Sequence, residues 1–282
     1  MKKYKEFKIF ASPFETEIIT GLLWEFDISG INEEKDHLVV FAQENSSVDT
    51  LKISSLLARL KEEKTINSFS VEENLLEDKN WNEEWEKGIQ VVEVDERIVI
   101  KPSFRDYDQK EGQIIITIDP KMSFGTGDHQ TTQIMIKLTE KYLVPGVSLI
   151  DVGSGTGILS ITAVKLGAKD AIAVDIDEWC LMNGLENCRL NNVENVIDIR
   201  QCEIGDVEEK KFDLILANIN KNILIEIKDE IRKRLSSSGT LILSGLLFSD
   251  ENDIRNHYEP IGFRMIEKMQ MKEWIGIVFK WA

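Results

Sequence analysis

Cysteine is scarce in this chain of 282 residues: Cys180, Cys188 and Cys202 are three in number and lack metal-ligand spacing. That excludes a disulfide framework and points to free packing thiols in a reducing cytosol. No apolar run approaches the roughly 18 residues that span a bilayer. The opening Met1-Lys2-Lys3-Tyr4-Lys5-Glu6 leads into a strand-like segment, not an apolar signal core. Basic residues are outnumbered, 34 Lys and Arg against 50 Asp and Glu, for a net charge of −16. Proteins that grip nucleic acid through phosphates concentrate Lys and Arg, so no direct nucleic-acid binding is expected, and a basic protein or an amine fits the field better. Internal repeats of roughly 20 to 50 residues are absent as well.

What is present is a globular chain, 42% hydrophobic with six Trp, long enough for two domains. Over its first 72 residues the pattern reads βαββαβ: strands at 4–11, 28–31, 37–41 and 66–71, a helix at 14–24, and a second helix capped by Ser46 or Ser47 and running to 60. That order predicts a small ferredoxin-like α+β domain. Residues 73–92 change character, crowding Glu and Asp around Trp81 and Trp85, and predict a charged connector helix. The two indoles, four apart, share one face as packing anchors or, alternatively, as a stacking surface for a cofactor.

From 93 to 282 strands and helices alternate. Strands are expected at 98–102 and 114–118 as a pair, then at 149–152, 171–174, 196–200, 213–217 and 240–244, with a terminal antiparallel pair at 263–269 and 274–280. Alternation of this kind gives a parallel sheet covered by helices. Its centre is Leu149-Ile150-Asp151-Val152-Gly153-Ser154-Gly155-Thr156-Gly157, a buried strand ending in a turn without side chains, with a helix opening at Ile158. Such a turn lets a ligand lie against bare backbone. The glycine spacing is Gly-x-Gly-x-Gly, whereas dinucleotide folds use Gly-x-Gly-x-x-Gly, so a pyrophosphate is not the natural guest.

Three further features surround that turn. The strand Ala171-Ile172-Ala173-Val174 ends at Asp175, where nucleotide-binding folds place a carboxylate on the ribose diol, with Asp177 capping the next helix; the alternative makes Asp175 itself the cap of the segment from Glu178. The cluster Ser123-Phe124-Gly125-Thr126-Gly127-Asp128-His129-Gln130-Thr131-Thr132 reads as a lid loop offering hydroxyls, or as an ordinary loop and helix cap. Leu214-Ile215-Leu216-Ala217-Asn218 brings a carboxamide to the edge of the sheet where ligands bind; it suits the orientation of an amine nucleophile, or serves as a turn residue.

The series F-G-T-G-x-H-x-T-T, D-V-G-x-G-x-G-I-L, V-D-I-D and A-N-I resembles the ribosomal protein L11 methyltransferases, and the resemblance extends to the W-N-E-E-W connector and the small N-terminal domain. It implies a Rossmann-like class I methyltransferase domain that uses S-adenosylmethionine (SAM), preceded by a domain that recognises the substrate protein. It also implies methylation of lysine side chains and the N-terminal α-amine of ribosomal protein L11, in the cytoplasm and away from membranes. The family's SAM contacts carry over to Thr132, Gly153, Asp175 and Asn218. Two departures stand out: Asp128 and Gln130 replace a Thr and a Pro common in the family's lid, and Asn218 is followed by Ile219-Asn220-Lys221.

The implied reaction is an in-line displacement in which Asn218 holds a neutral amine through its carbonyl oxygen. His129 is the candidate general base, with a structural role as the alternative. Open alternatives are a SAM-dependent enzyme for another protein or small amine, a SAM-binding module without catalysis, and a nicotinamide dehydrogenase.

Overall fold

The computed structural model describes residues 3–77, 89–121, 123–208 and 211–282, and the chain divides into two compact units, Met1–Lys87 and Gly88–Ala282. The first unit contains β1 (Lys3–Ser12), α1 (Thr16–Leu23), β2 (Gly30–Glu33), β3 (Leu38–Gln43), α2 (Thr50–Glu62) and β4 (Ser68–Glu77). Its four strands lie in the order β2-β3-β1-β4, every pair antiparallel, which is the ferredoxin-like arrangement. Helix α2 buries Ile53, Leu56, Leu57 and Leu60, spaced i, i+3, i+4, i+7, against Phe7, Ile9 and Val40 of the sheet.

Two local expectations are corrected here. Asp49, not Ser46 or Ser47, caps α2, accepting from the Lys52 N–H at 2.8 Å. The Ser46 hydroxyl is committed to the Asp27 carbonyl at 2.6 Å, which removes it from the cap. The first five residues of the expected connector, 73–77, continue strand β4 along β1. Residues 78–88 of the expected connector helix, with Trp81 and Trp85, lie outside the described residues; its last four do not form helix, since 89–91 are irregular and Val92 opens a strand.

The second unit opens with a three-stranded sheet of β5 (Val92–Glu93), β6 (Ile98–Lys101) and β7 (Ile114–Thr117), in which β6 and β7 are parallel. Then follow α3 (Gln130–Tyr142), β8 (Ser148–Val152), α4 (Ile158–Lys165), β9 (Asp170–Asp175), α5 (Glu178–Leu190), β10 (Ile197–Gln201) and β11 (Phe212–Asn218). The chain closes with α6 (Lys221–Glu226), α7 (Lys228–Arg234), β12 (Leu235–Leu247), α8 (Glu251–Tyr258), β13 (Phe263–Met271) and β14 (Trp274–Trp281).

These strands form one sheet in the order β10-β9-β8-β11-β12-β14-β13, parallel except for β14, which is antiparallel to both neighbours. Alternation along each strand feeds two cores. Leu149, Leu214, Leu216 and Ile242 face α3, α4 and α5, whereas Ile150, Ile215, Leu241 and Leu243 face Leu224, Ile231 and Ile254 of α6, α7 and α8. The chain runs outward in one direction from β8 through β9 to β10, then returns to β11 on the other flank of β8. The crevice at the carboxyl ends of β8 and β11 is therefore the topological switch point. No helix among the described residues is long and apolar enough to cross a membrane.

Candidate active site at the switch point

Gly153, Gly155 and Gly157 all have positive φ, at 71°, 53° and 79°, so the turn after β8 takes a path that side chains resist. Space demands the same: a Cβ on Gly155 would stand 2.3 Å from the Phe124 carbonyl oxygen. The lid loop lies against the turn, with Thr156 donating its N–H to Phe124 O at 3.0 Å and its hydroxyl to Gly125 O at 2.8 Å.

Asp175 ends β9 beside the turn. One carboxylate oxygen accepts the Gly155 N–H at 2.9 Å and the other the Asp177 N–H at 3.1 Å, leaving lone pairs on both. Asp177 caps α5, accepting from the Trp179 N–H at 2.9 Å, as its position predicts.

Between these elements lies a cavity of about 610 Å³, within the range of small-molecule sites. Gly153, Gly155, Asp175 and Asn218 line it together, with Phe124, Ile219 and Ile223 as apolar walls. The charged side chains on its walls are Asp175, Asp177, Glu203 and Glu226, with no Lys, Arg or His among the described residues that line it. Such a cavity is built for a guest with positive charge, and a pyrophosphate would meet only repulsion.

Asn218 is the last residue of β11, and its Oδ1 is buried without a protein partner. The following turn is fixed by steric seating. The Ile219 Cγ2 stands 2.2 Å from where a Gly153 Cβ would be, and the Ile219 carbonyl oxygen 2.4 Å from where a Gly245 Cβ would be. Gly245, on β12 at φ 80°, gave no signal in the motifs; its neighbour Ser244 pairs in register with Asn218. Beyond it, Asn220 caps α6 through the Ile223 N–H at 3.2 Å, and Lys221 bridges Asp250 at 2.8 Å and Asp253 at 2.9 Å. Lys221 is therefore an anchor for this turn and is not on the cavity wall.

Thr132 is fully buried in the first turn of α3, off the cavity wall, with a hydroxyl oxygen that has no protein partner. His129 is also off that wall. It caps α3, its Nδ1 accepting the Thr131 N–H at 3.3 Å, and its ring packs edge-on between Phe124 and Trp274 at centroid distances of 5.5 and 5.1 Å. The ring is thus a packed helix cap beside the lid, which is the structural alternative held for it. Asp128, one of the departures from the family pattern, accepts from the Thr126 hydroxyl.

Behind the turn Asp151 is wholly buried on the face of β8 that meets α4, accepting from the Ser160 hydroxyl at 2.9 Å and the Ser160 N–H at 3.2 Å. Burial pushes its carboxyl up to about 7; the Ser160 bonds oppose that shift and the charge of Asp175 adds to it. The folded protein therefore holds a proton that the unfolded chain releases near pH 4, and stability from this group is full below that pH and lost as pH rises toward 7. The difference is on the order of 4 kcal/mol. Melting temperatures at pH 5 and pH 8 should accordingly fall less for Asp151→Asn than for the wild type, and equal slopes would contradict the assignment.

The sheet order with antiparallel β14, the glycine turn and the acid on the next strand define a Rossmann-like methyltransferase fold. A ribosomal protein L11 methylase from Lactobacillus delbrueckii subsp. bulgaricus superposes with a TM-score of 0.65 at 34% identity, covering 68% of this chain and 98% of that one. The sequence matches the family described as Ribosomal protein L11 methyltransferase (PrmA) over residues 3–282. The protein of that name from Acetivibrio thermocellus is 38% identical over 205 residues, which span 73% of this chain and 65% of that protein. The one from Brevibacillus brevis is 31% identical over 99% of both chains. This chain belongs to the ribosomal protein L11 methyltransferase family.

Proposed function

We propose that this protein transfers methyl groups from SAM to amino groups of ribosomal protein L11, namely lysine side chains and the N-terminal α-amine. The observation that carries the reading is the unpartnered Oδ1 of Asn218 on the wall of a cavity whose charged side chains are all carboxylates. A buried carbonyl oxygen without a donor is costly unless a ligand supplies one. The unpartnered Thr132 hydroxyl oxygen is a second such acceptor beside the lid.

In this reading the backbone of the glycine turn cradles the cofactor, Asp175 takes the ribose diol and Asn218 completes the contacts, while Thr132, buried off the cavity wall, supports the first turn of α3 beside the lid. When bound, SAM supplies an activated methyl group on a sulfonium, so the protein's task is to position and to exclude water. One strand separates β9 from β11, putting Asp175 and Asn218 roughly 10 Å apart across the crevice. That leaves the nucleoside on one flank and the acceptor on the other. Asn218 accepts a hydrogen bond from the incoming amine and aims its lone pair. The amine attacks only in its neutral form, which alone has a lone pair to give; the apolar walls of Phe124, Ile219 and Ile223 favour that form against the pull of the cavity's carboxylates. The N-terminal unit, whose last strand runs to Glu77, recognises the substrate protein, and the second unit, Gly88–Ala282, carries the chemistry. The site of action is the cytoplasm. Free RNA is a poor partner for a chain with a net charge of −16.

Incubation with isotopically labelled SAM and a ribosomal protein extract tests this directly. One small protein should dominate the labelled bands, and intact mass spectrometry of the L11-like protein should give methyl increments. Label spread evenly over many proteins, or none at all, would refute the reading.

A further inference from the structure

We propose that Asn187 is a positioning residue for the cofactor, coupling the segment that leads into the lid loop to the glycine turn; the proposal rests on the function above. Helix α5 and its C-cap carry Asn183, Asn187 and, at the cap, Asn191, four residues apart and thus on one face, with exposures of 3%, 0% and 5%. Buried carboxamides are tolerated only where hydrogen bonds replace water. Here they pair with the backbone that leaves β7. Asn191 accepts the Thr117 N–H at 2.9 Å and donates to Thr117 O at 2.6 Å. Asn183 donates to Asp119 O at 2.8 Å. The helix thus holds residues 117–119 much as an edge strand would.

Asn187 differs from its two neighbours in reach. Its Oδ1 accepts the Asp119 N–H at 3.0 Å, while its Nδ2 donates to Thr156 O, inside the glycine turn, also at 3.0 Å. The Thr156 residue is bound on its other groups to the lid, through its N–H to Phe124 O and its hydroxyl to Gly125 O. One carboxamide therefore fixes both the entry to the lid and the turn on which the lid rests. Phe124 and Gly155 line the cavity and Asn187 does not, so it acts through Thr156. Without it, the Asp119 N–H and the Thr156 carbonyl both lose their partner, and the two halves of the cofactor site are free to part.

Full-length Asn187→Leu and Asn191→Leu, compared with wild type, separate this coupling from plain support. Calorimetry with SAM should give a Kd raised about tenfold for Asn187→Leu, the cost of one mispositioned buried hydrogen bond. The KM for SAM should rise in parallel, and kcat at saturating SAM should stay close to wild type. Asn191→Leu, which also breaks two bonds to residue 117, should lower the melting temperature and leave the Kd unchanged. An unchanged Kd for Asn187→Leu, or an equal rise in both variants, would overturn the proposal. If Asn187→Leu fails to fold, Asn187→Ser is read by the same criteria. A wild type that does not bind SAM would refute the functional reading instead, which keeps the two failures apart.

Discussion

Asn218→Ala should slow methyl transfer by about a hundredfold or more while leaving SAM affinity within severalfold, because removing a group that aims one reactant costs of that order. The alanine keeps the strand end, the seating of Ile219 and the cavity, and deletes only the buried Oδ1 and its amide. Single-turnover kinetics with the L11-like protein would read the loss in the chemical step. Asn218→Asp sharpens the test. It retains an acceptor oxygen but adds a charge that holds the incoming amine protonated, so its rate should recover only as pH rises. A near-normal rate for the alanine variant would remove Asn218 from the mechanism.

Asp175→Ala is expected to weaken SAM binding by at least about a hundredfold, since hydrogen bonds to a charged carboxylate contribute roughly 1.5–3 kcal/mol each and two ribose hydroxyls are lost. The same change releases the Gly155 N–H, now held at 2.9 Å, so the glycine turn loosens with it. Asp175→Asn divides these effects. Its amide oxygen still accepts from Gly155 while the charge on the diol is gone, and its affinity should fall between wild type and alanine. Titration calorimetry measures both; an alanine variant that binds as tightly as wild type would show that the nucleoside lies elsewhere.

Much of this site was legible because it is written in local chemistry. Short apolar runs marked β8, β9 and β11, and glycine at alternate positions marked a turn that only glycine tolerates, as the three positive φ values bear out. Asp175 and Asp177 could be told apart because a helix cap and a strand-end acid stand at different distances from the helix start. What escaped notice depends on contacts remote in sequence. Nothing local to Asn183, Asn187 and Asn191 reveals that residues 117–119 lie over them. His129 looked chemical by residue type, and its role as a cap became visible only with Phe124 and Trp274 packed around it. Strand β12 begins five residues earlier than its apolar pattern because Ser236, Ser237 and Ser238 carry no alternation to read. The order of the sheet, with β14 inserted between β12 and β13, is likewise a product of long-range pairing.

The residue after Asn218 is seated on two bare backbones, at Gly153 and Gly245, and this has an evolutionary corollary. The aim of the amide is set by the Ile219 side chain resting on Gly153 and its main chain resting on Gly245, apart from the side chains at the mouth of the crevice. Ile223, exposed there, takes no part in that seating, so the mouth of the crevice can change to admit new acceptors while the geometry of transfer is inherited intact.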